Sequence, residues 1–311
     1  MSEISDIVLQ TCDLTKFYGK RRALDHLNIK IHKGCIYGLL GRNGAGKTTA
    51  IKLMLGLLNP NSGSSVVLGC DSKTLLPEIR QRIGYVTEGH RLFRSMRISE
   101  LQNFQKAFFP GIFNDRLFDD MMDFFELSKK RRIKHLSNGQ RAQVSLALAM
   151  APDPELLIMD DPTLGLDPAI RRQFLEGMIR LIQQKGKTIL FSSHILSDIE
   201  RVSDRIAVID KGRLKADCTL EQFRSTIRKV RFRYSGDLPS GIDLPGIISY
   251  TPGRDSLEIT FVKTSDEDIR RWASETNADD FEDITMNLED QFIEYTQPIK
   301  SRRLFQPEED A

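Results

Sequence analysis

No run of about 18 apolar residues, the length a helix needs to cross the hydrocarbon of a bilayer, occurs in this sequence. Any route to a membrane is therefore expected to go through a partner. Met1-Ser2-Glu3-Ile4-Ser5-Asp6 lacks the basic and apolar regions of a secretory leader. The four cysteines, Cys12, Cys35, Cys70 and Cys218, show neither Cys-x-x-Cys spacing nor a pairing framework, which suits a reducing cytosol. An excess of one charge is also missing. With 45 Lys and Arg against 43 Asp and Glu, the net charge is +2, so bulk electrostatics make no case for a nucleic-acid partner. One dense basic run stands out, Lys129-Lys130-Arg131-Arg132-Ile133-Lys134, and it reads either as a solvated loop face or as a contact for phosphate or lipid headgroups.

What the sequence does contain is Gly41-Arg42-Asn43-Gly44-Ala45-Gly46-Lys47-Thr48-Thr49, the G-x-x-x-x-G-K-[ST] phosphate loop. Cys35 to Leu40 before it reads as a short buried strand, and Lys47 to Leu58 after it reads as a helix, so the motif lies in its required context. Glycines let backbone amides approach phosphate, and the helix N-terminus adds partial positive charge. Lys47 is expected at the β- and γ-phosphates of ATP and Thr48 at Mg²⁺.

Further along come Leu136-Ser137-Asn138-Gly139-Gln140, Leu156-Leu157-Ile158-Met159-Asp160-Asp161-Pro162-Thr163, Gly165-Leu166-Asp167 and Ser192-Ser193-His194. In this order, from about Val8 to Leu220, the sequence resembles an ATP-binding-cassette (ABC) ATPase of the exporter type, whose membrane chains are separate polypeptides. The resemblance implies an α/β fold: a P-loop NTPase core with an antiparallel β subdomain and a helical subdomain. It also implies that Ser137, Asn138, Gly139 and Gln140 form a signature that meets a nucleotide held by an opposing cassette. Asp167 would then belong to the dimer loop, and Tyr18 would stack on adenine, although composition alone allows Tyr18 to pack a hairpin. Phe17 is the better core candidate.

The chemistry of these residues can be argued on its own. Leu156 to Met159 suits a buried parallel strand that delivers Asp160 at its C-terminal end, where its carboxylate can hold Mg²⁺ through water. Asp161 at the next position can polarise an attacking water, since phosphoryl transfer needs an in-line nucleophile. The alternative for adjacent aspartates before proline is a cap or turn. His194 follows the strand-like Lys187 to Ser192 and is placed to bond the γ-phosphate. Gln140 to Met150 reads as a helix with Ser137 as its cap.

Three positions depart from the family. Asn138 replaces a glycine, a change that asparagine's tolerance of positive φ should permit. Glu88 stands where the family usually has a glutamine that reaches Mg²⁺ and water. Asp161 replaces the usual catalytic glutamate and is one methylene shorter, and a displacement of about 1 Å can cost ~10²-fold in rate. Either the site is slow or degenerate and relies on a partner, or Glu88 and Asp161 together still position the water.

Residues 1–228 are read as the ABC ATPase domain, with the helical subdomain at about 90–150. There Leu101, Phe104, Phe108, Leu117, Phe118, Met121, Met122, Phe124 and Phe125 suggest two helices broken near Pro110-Gly111, supplying core or a partner groove. Arg205 to Lys215 reads as a hairpin around Lys211-Gly212, and Thr219 to Arg228 as a helix. Residues 229–298 are read as a small α+β accessory unit, with alternation at Val230, Phe232 and Tyr234 and at Leu257, Ile259 and Phe261, and helices at Asp266 to Asn277 and around Leu288, Phe292 and Tyr295. The stretch 299–311 is charged and expected to be disordered.

The resemblance implies an ATPase that powers transport through nucleotide-dependent head-to-tail dimerisation. Its implied partners are separate transmembrane permease subunits and a second cassette, with the homodimer preferred and the heterodimer open. It would sit in the cytoplasm, on the inner face of the cell membrane through the permease. The alternatives are a non-transport ABC ATPase acting on DNA or ribosomes, and a degenerate ATP-binding regulatory subunit.

Overall fold

In the computed structural model, residues 6–185, 187–239 and 246–296 are described. The chain divides into two compact units, Met1–Cys218 and Thr219–Ala311. In the first, β1 (Ile7–Tyr18) and β2 (Arg21–His32) form an antiparallel ribbon. A second group of strands comprises β3 (Ile36–Leu40), β4 (Ser62–Val67), β5 (Cys70–Asp71) and β6 (Ile83–Val86). Then follow β7 (Leu156–Asp160), β8 (Thr188–Ser193), β9 (Arg205–Asp210) and β10 (Arg213–Thr219). They make two sheets, one ordered β2-β1-β4-β5 and one ordered β10-β9-β3-β8-β7-β6.

Strands β3, β6, β7, β8 and β9 pair in parallel, and β7 and β8 are buried at every position. This is why they read as unbroken apolar runs and not as alternating ones. Register decides the site: Leu40 pairs with Ser193 and Asp160 with Ser192, so the carboxyl ends of β3, β8 and β7 lie side by side. In open parallel sheets that edge is where ligands bind. The β9–β10 connection has positive φ at both Lys211 (48°) and Gly212 (80°), the geometry of a tight hairpin turn.

Helices of this unit are α1 (Lys47–Met54), α2 (Pro77–Arg80), α3 (Ile98–Lys106), α4 (Asp115–Phe124), α5 (Asn138–Met150), α6 (Pro168–Lys185) and α7 (Leu196–Val202). Helix α1 stops four residues short of the expected Leu58. Gly56 turns left-handed at φ 65°, and the amides of Leu57 and Leu58 both return to Lys52 O, ending the helix by a C-terminal cap. Phe17 is half-buried, with the Arg22 guanidinium 5.2 Å from its ring, so it is not the core residue expected. The aromatics of the helical region split. Phe118 and Phe125 are core, whereas Phe104 and Phe108 are exposed.

The second unit contains α8 (Leu220–Thr226), β11 (Ile227–Arg233), β12 (Ile247–Pro252), β13 (Ser256–Val262), α9 (Asp266–Glu275), β14 (Asp280–Ile284) and α10 (Leu288–Thr296). Its antiparallel sheet runs β12-β13-β11-β14. Val230, Phe232, Leu257, Ile259, Phe261 and Trp272 form its core. The boundary falls ten residues before the expected position. Thr219 caps α8, and the Gln291 amide donates to the carbonyls of Arg224 (2.9 Å) and Ile227 (3.1 Å), tying that helix to α10. Strands β12 and β14 were not foreseen, since both are edge strands, and the acidic Asp280-Phe281-Glu282-Asp283-Ile284 carries the charge that blunts a sheet edge. The expectation for 299–311 lies outside the described residues.

Candidate active site

From β3 the chain turns through Gly41 to Gly46 into α1. Gly44 and Gly46 take φ values of 79° and 112°, and a Cβ at Gly46 would sit 2.6 Å from Ala23 O, so glycine is required there. No side chain caps α1, which leaves its first-turn amides available to an anion. Lys47 is buried; its Nζ donates to Gly41 O at 2.8 Å and lies 3.3 Å from Asp161 Oδ2.

Asp160 and Asp161 emerge from β7 with different surroundings. Thr48 Oγ1 (3.1 Å) and Ser192 Oγ (3.0 Å) both donate to Asp160 Oδ1. Burial pushes the Asp160 carboxyl up from its ordinary value, the two hydroxyls oppose that, and the charges of Asp161 and Glu88 add to it. Ser192 Oγ also accepts from the Asp161 amide at 3.0 Å, so one hydroxyl fixes both aspartates. Asp161 sits at φ 43°, a left-handed conformation that Asp tolerates better than most residues. Its Oδ1 accepts from the His194 amide at 3.0 Å and from His194 Nδ1 at 2.9 Å. Because a carboxylate only accepts, Nδ1 carries the proton and Nε2 is left free.

A cleft of about 420 Å³ is lined by Tyr18, Arg21, Ala23, Arg42 through Thr49, Glu88 and Asp161. The fold thus gathers most of the residues expected around ATP, adding Arg21 and Ala23 from β2. Tyr18, at the β1–β2 turn with Lys16 Nζ 5.7 Å from its ring, is 49% exposed and lines the cleft. A second opening of about 470 Å³ is lined by Arg42, Asn43, Gly44, Ala45, His194, Asp210 and Lys211. The oxygen donors of Thr48, Asp160 and Glu88 are of the type Mg²⁺ takes. Among the described residues no group of three or more His, Cys, Asp or Glu could hold a metal ion.

Ser137, Asn138, Gly139 and Gln140 line neither opening. Ser137 caps α5 in a reciprocal box, with Gln140 N donating to Ser137 Oγ and Ser137 N to Gln140 Oε1, each at 3.2 Å. Asn138 is helical, so tolerance of positive φ is not what permits it; its Oδ1 accepts from Arg141 Nη2. Asp167 caps α6, accepting from Ile170 N at 3.0 Å. Two residues escaped the sequence reading. Ser192 was seen only as the end of a strand. Buried His90, whose Nε2 lies 2.8 Å from Pro162 O, carries no motif.

A glycine-rich phosphate cradle on a parallel sheet, with paired aspartates and a histidine from adjoining strands and an antiparallel sheet alongside, defines a cassette-type P-loop nucleoside triphosphatase. The ABC transporter family profile matches residues 24–164. The chain is similar to the bacitracin transport ATP-binding protein BcrA of Bacillus licheniformis, 36% identical over 224 residues that cover 71% of this chain and 73% of that protein. The Nod factor export ATP-binding protein I of Cupriavidus metallidurans is 35% identical over 216 residues, covering 68% of this chain and 70% of that one. A solved ATP-binding subunit of an ABC transporter superposes with a TM-score of 0.63 at 28% identity, covering 70% of this chain and 92% of that chain. The chain belongs to the ABC transporter family: it is an ATP-binding subunit, and ATPase activity coupled to transport is the activity of that family. No helix among the described residues is long and apolar enough to cross a membrane.

Proposed function

We propose that this chain hydrolyses ATP as a head-to-tail homodimer and drives export through separate permease subunits at the inner face of the cell membrane. The observation that carries this reading is that Lys47, Thr48 and Asp161 line one cleft, with Asp160 bonded to Thr48 and His194 to Asp161, while Ser137 to Gln140 line no part of it. A site of that kind is completed by the signature of an opposing copy. ATP lies with its phosphates on the loop amides and Tyr18 at the adenine end, where stacking is worth about 1 kcal/mol beyond burial. On binding, Lys47 exchanges Asp161 for the β- and γ-phosphates. That frees Asp161 Oδ2 to orient and deprotonate water, while Oδ1 stays on the amide and Nδ1 of His194. Thr48 and Asp160, with Glu88 at the rim, would hold Mg²⁺, which supplies charge neutralisation on the transferring phosphoryl group. Both carboxylates thereby have a role, and the shorter Asp161 is served by a histidine that reaches it directly.

For the permease, a cleft of about 320 Å³ between β6 and the helical region is lined by Tyr85, Thr87, Leu92, Phe109 and Leu148 among others. It adjoins Glu88, so a helix seated there would sense the nucleotide site. The relatives are named for transport and export, which favours this reading over a DNA- or ribosome-acting cassette. The test is Mg²⁺-dependent ATP hydrolysis by the purified chain across protein concentration, beside Asp161→Asn. Turnover rising more than linearly with protein and absent in the variant is expected. Strictly linear turnover, together with a monomeric Asp161→Asn chain at saturating ATP, would overturn the homodimer.

A further inference from the structure

The ATP chemistry leaves Asp198 without a role. It stands in α7, four residues past His194, and is 1% exposed, so its carboxylate must be paired to be held out of water. Both oxygens are in use: Thr163 Oγ1 donates to Oδ2 at 2.6 Å, and Arg171 Nε, from the first turn of α6, donates to Oδ1 at 2.5 Å. Arg171 Nη2 also donates to Ser197 Oγ at 2.6 Å, which fixes the guanidinium on α7. Pulling Asp198 away from either partner would leave an ion or a hydroxyl buried and unpaired, so the carboxylate grips what it touches.

Thr163 and Asp198 belong to the two loops that carry Asp161 and His194. Thr163, buried like Asp198, follows Asp161 by two residues, and Leu164 N donating to Asp161 O at 3.1 Å closes the turn between them. On the other side Asp198 N donates to Ile195 O at 3.2 Å. Ser193 Oγ accepts from Ile195 N (2.9 Å) and donates to Ile195 O (3.2 Å), which leaves His194 inside a short closed loop. The two loops already meet where Asp161 Oδ1 accepts from His194. Thr163 with Asp198 is a second joint between them, and neither residue lines the openings beside the phosphate loop. One joint leaves a hinge, whereas two fix an orientation. Asp161 needs such support, because its φ of 43° is a conformation that persists only where the surroundings enforce it.

We propose that Asp198 is a positioning residue for hydrolysis, given the reading of Asp161 as the group that orients and deprotonates water, on which this inference rests. By gripping Thr163, Asp198 holds the loop after β7 against the loop after β8 and keeps the Asp161 carboxylate and the His194 ring in one relation. Asp198 lines neither opening, so loosening its grip misplaces the carboxylate in the catalytic step and leaves nucleotide binding as it was.

Thr163→Val tests it, since the change removes the hydroxyl, keeps the size of the side chain and leaves the Arg171–Asp198 pair intact. In Mg²⁺-dependent ATP hydrolysis by the purified chain, kcat should fall ~10- to 10²-fold, with KM and the Kd for ATP within about twofold of the wild type. Thr163→Ala should show the same split, and Thr163→Ser, which restores the hydroxyl, should bring kcat back to within about threefold. A wild-type kcat in Thr163→Val and Thr163→Ala, a loss that Thr163→Ser does not restore, or a change confined to KM or to the melting temperature would each overturn the proposal. Asp161→Asn, measured alongside, separates the two readings. Turnover in that variant would remove the assignment of Asp161 and this inference with it. An inactive Asp161→Asn beside unimpaired Thr163→Val would leave Asp161 in place and deny Asp198 any part in positioning it.

Discussion

His194 Nδ1 lies 2.9 Å from Asp161 Oδ1, and the amide of the same histidine donates to that oxygen at 3.0 Å. The other oxygen of Asp161 faces Lys47 at 3.3 Å. The short carboxylate is therefore matched on both sides. Lengthening it by one methylene would drive it off His194 or into the loop lysine. Asp161→Glu is accordingly expected to lower turnover by up to ~10²-fold, with the Kd for ATP nearly unchanged, and steady-state kinetics beside equilibrium binding reads both. A rise in turnover would mean that the pocket is built for glutamate and that Asp161 is a degenerate substitution. Asp161→Asn should bind ATP and not hydrolyse it.

His90 couples the loop after β6 to the loop after β7. It is 3% exposed, its Nε2 lies 2.8 Å from Pro162 O, and Nδ1 has no partner. Burial, with the Arg141 charge adding to it, lowers its pKa against the opposing bond to Pro162, so the ring is neutral and donates from Nε2. Removing the donor leaves a buried carbonyl next to Asp161 unpaired, at a cost of about 1–3 kcal/mol. His90→Ala should thus reduce kcat more than it changes KM. His90→Gln, whose amide nitrogen reaches as far as Nε2, should restore activity, and His90→Asn should not.

Gly139 opens α5 against α6. A Cβ there would lie 2.4 Å from Ile170 Cγ2 and 3.2 Å from Ile170 Cβ, and a β-branched side chain has little freedom to yield. Gly139→Ala is expected to shift the signature away from the α6 start that Asp167 caps. ATP-dependent dimerisation, read by light scattering in an Asp161→Asn background, should be lost while ATP binding by each chain persists.

Asp25 anchors β2 beside the cleft. His26 Nδ1 (2.8 Å), Arg22 Nη1 (2.8 Å) and Arg213 Nε (2.5 Å) all converge on its carboxylate, and these bonds hold its pKa well below the ordinary 3.8. A depressed pKa stabilises the fold above the unfolded value, and the contribution is lost as pH falls through the folded one. Asp25→Asn should therefore melt below the wild type at neutral pH by a constant margin, with the gap closing only in strong acid. Calorimetry from pH 7 downward checks the sign.

Motifs that carry their own backbone geometry could be read from the chain. The glycines at 44 and 46, the cap at Ser137 and the Lys211-Gly212 turn act over a few neighbouring residues, and buried parallel strands such as Leu156 to Asp160 announce themselves by apolar runs. Edge strands β12 and β14 were silent because half their hydrogen bonds and one neighbour are missing, so their composition follows solvent and not the core. The early end of α1 depended on the left-handed Gly56 turning the Leu57 and Leu58 amides back onto Lys52 O, a choice between continuing and capping that propensity leaves undecided.

The sequence by itself determined the nucleotide loop, the order of the catalytic elements and the family, because each rests on local spacing. Only the tertiary structure decided that Ser192 serves both aspartates and that His90 reaches Pro162 across 72 residues. It also decided that Arg97 faces Arg132 and that the signature stands away from its own chain's cleft. Those relations join residues far apart in the chain, and they exist only once parallel register and loop packing have brought their backbones together.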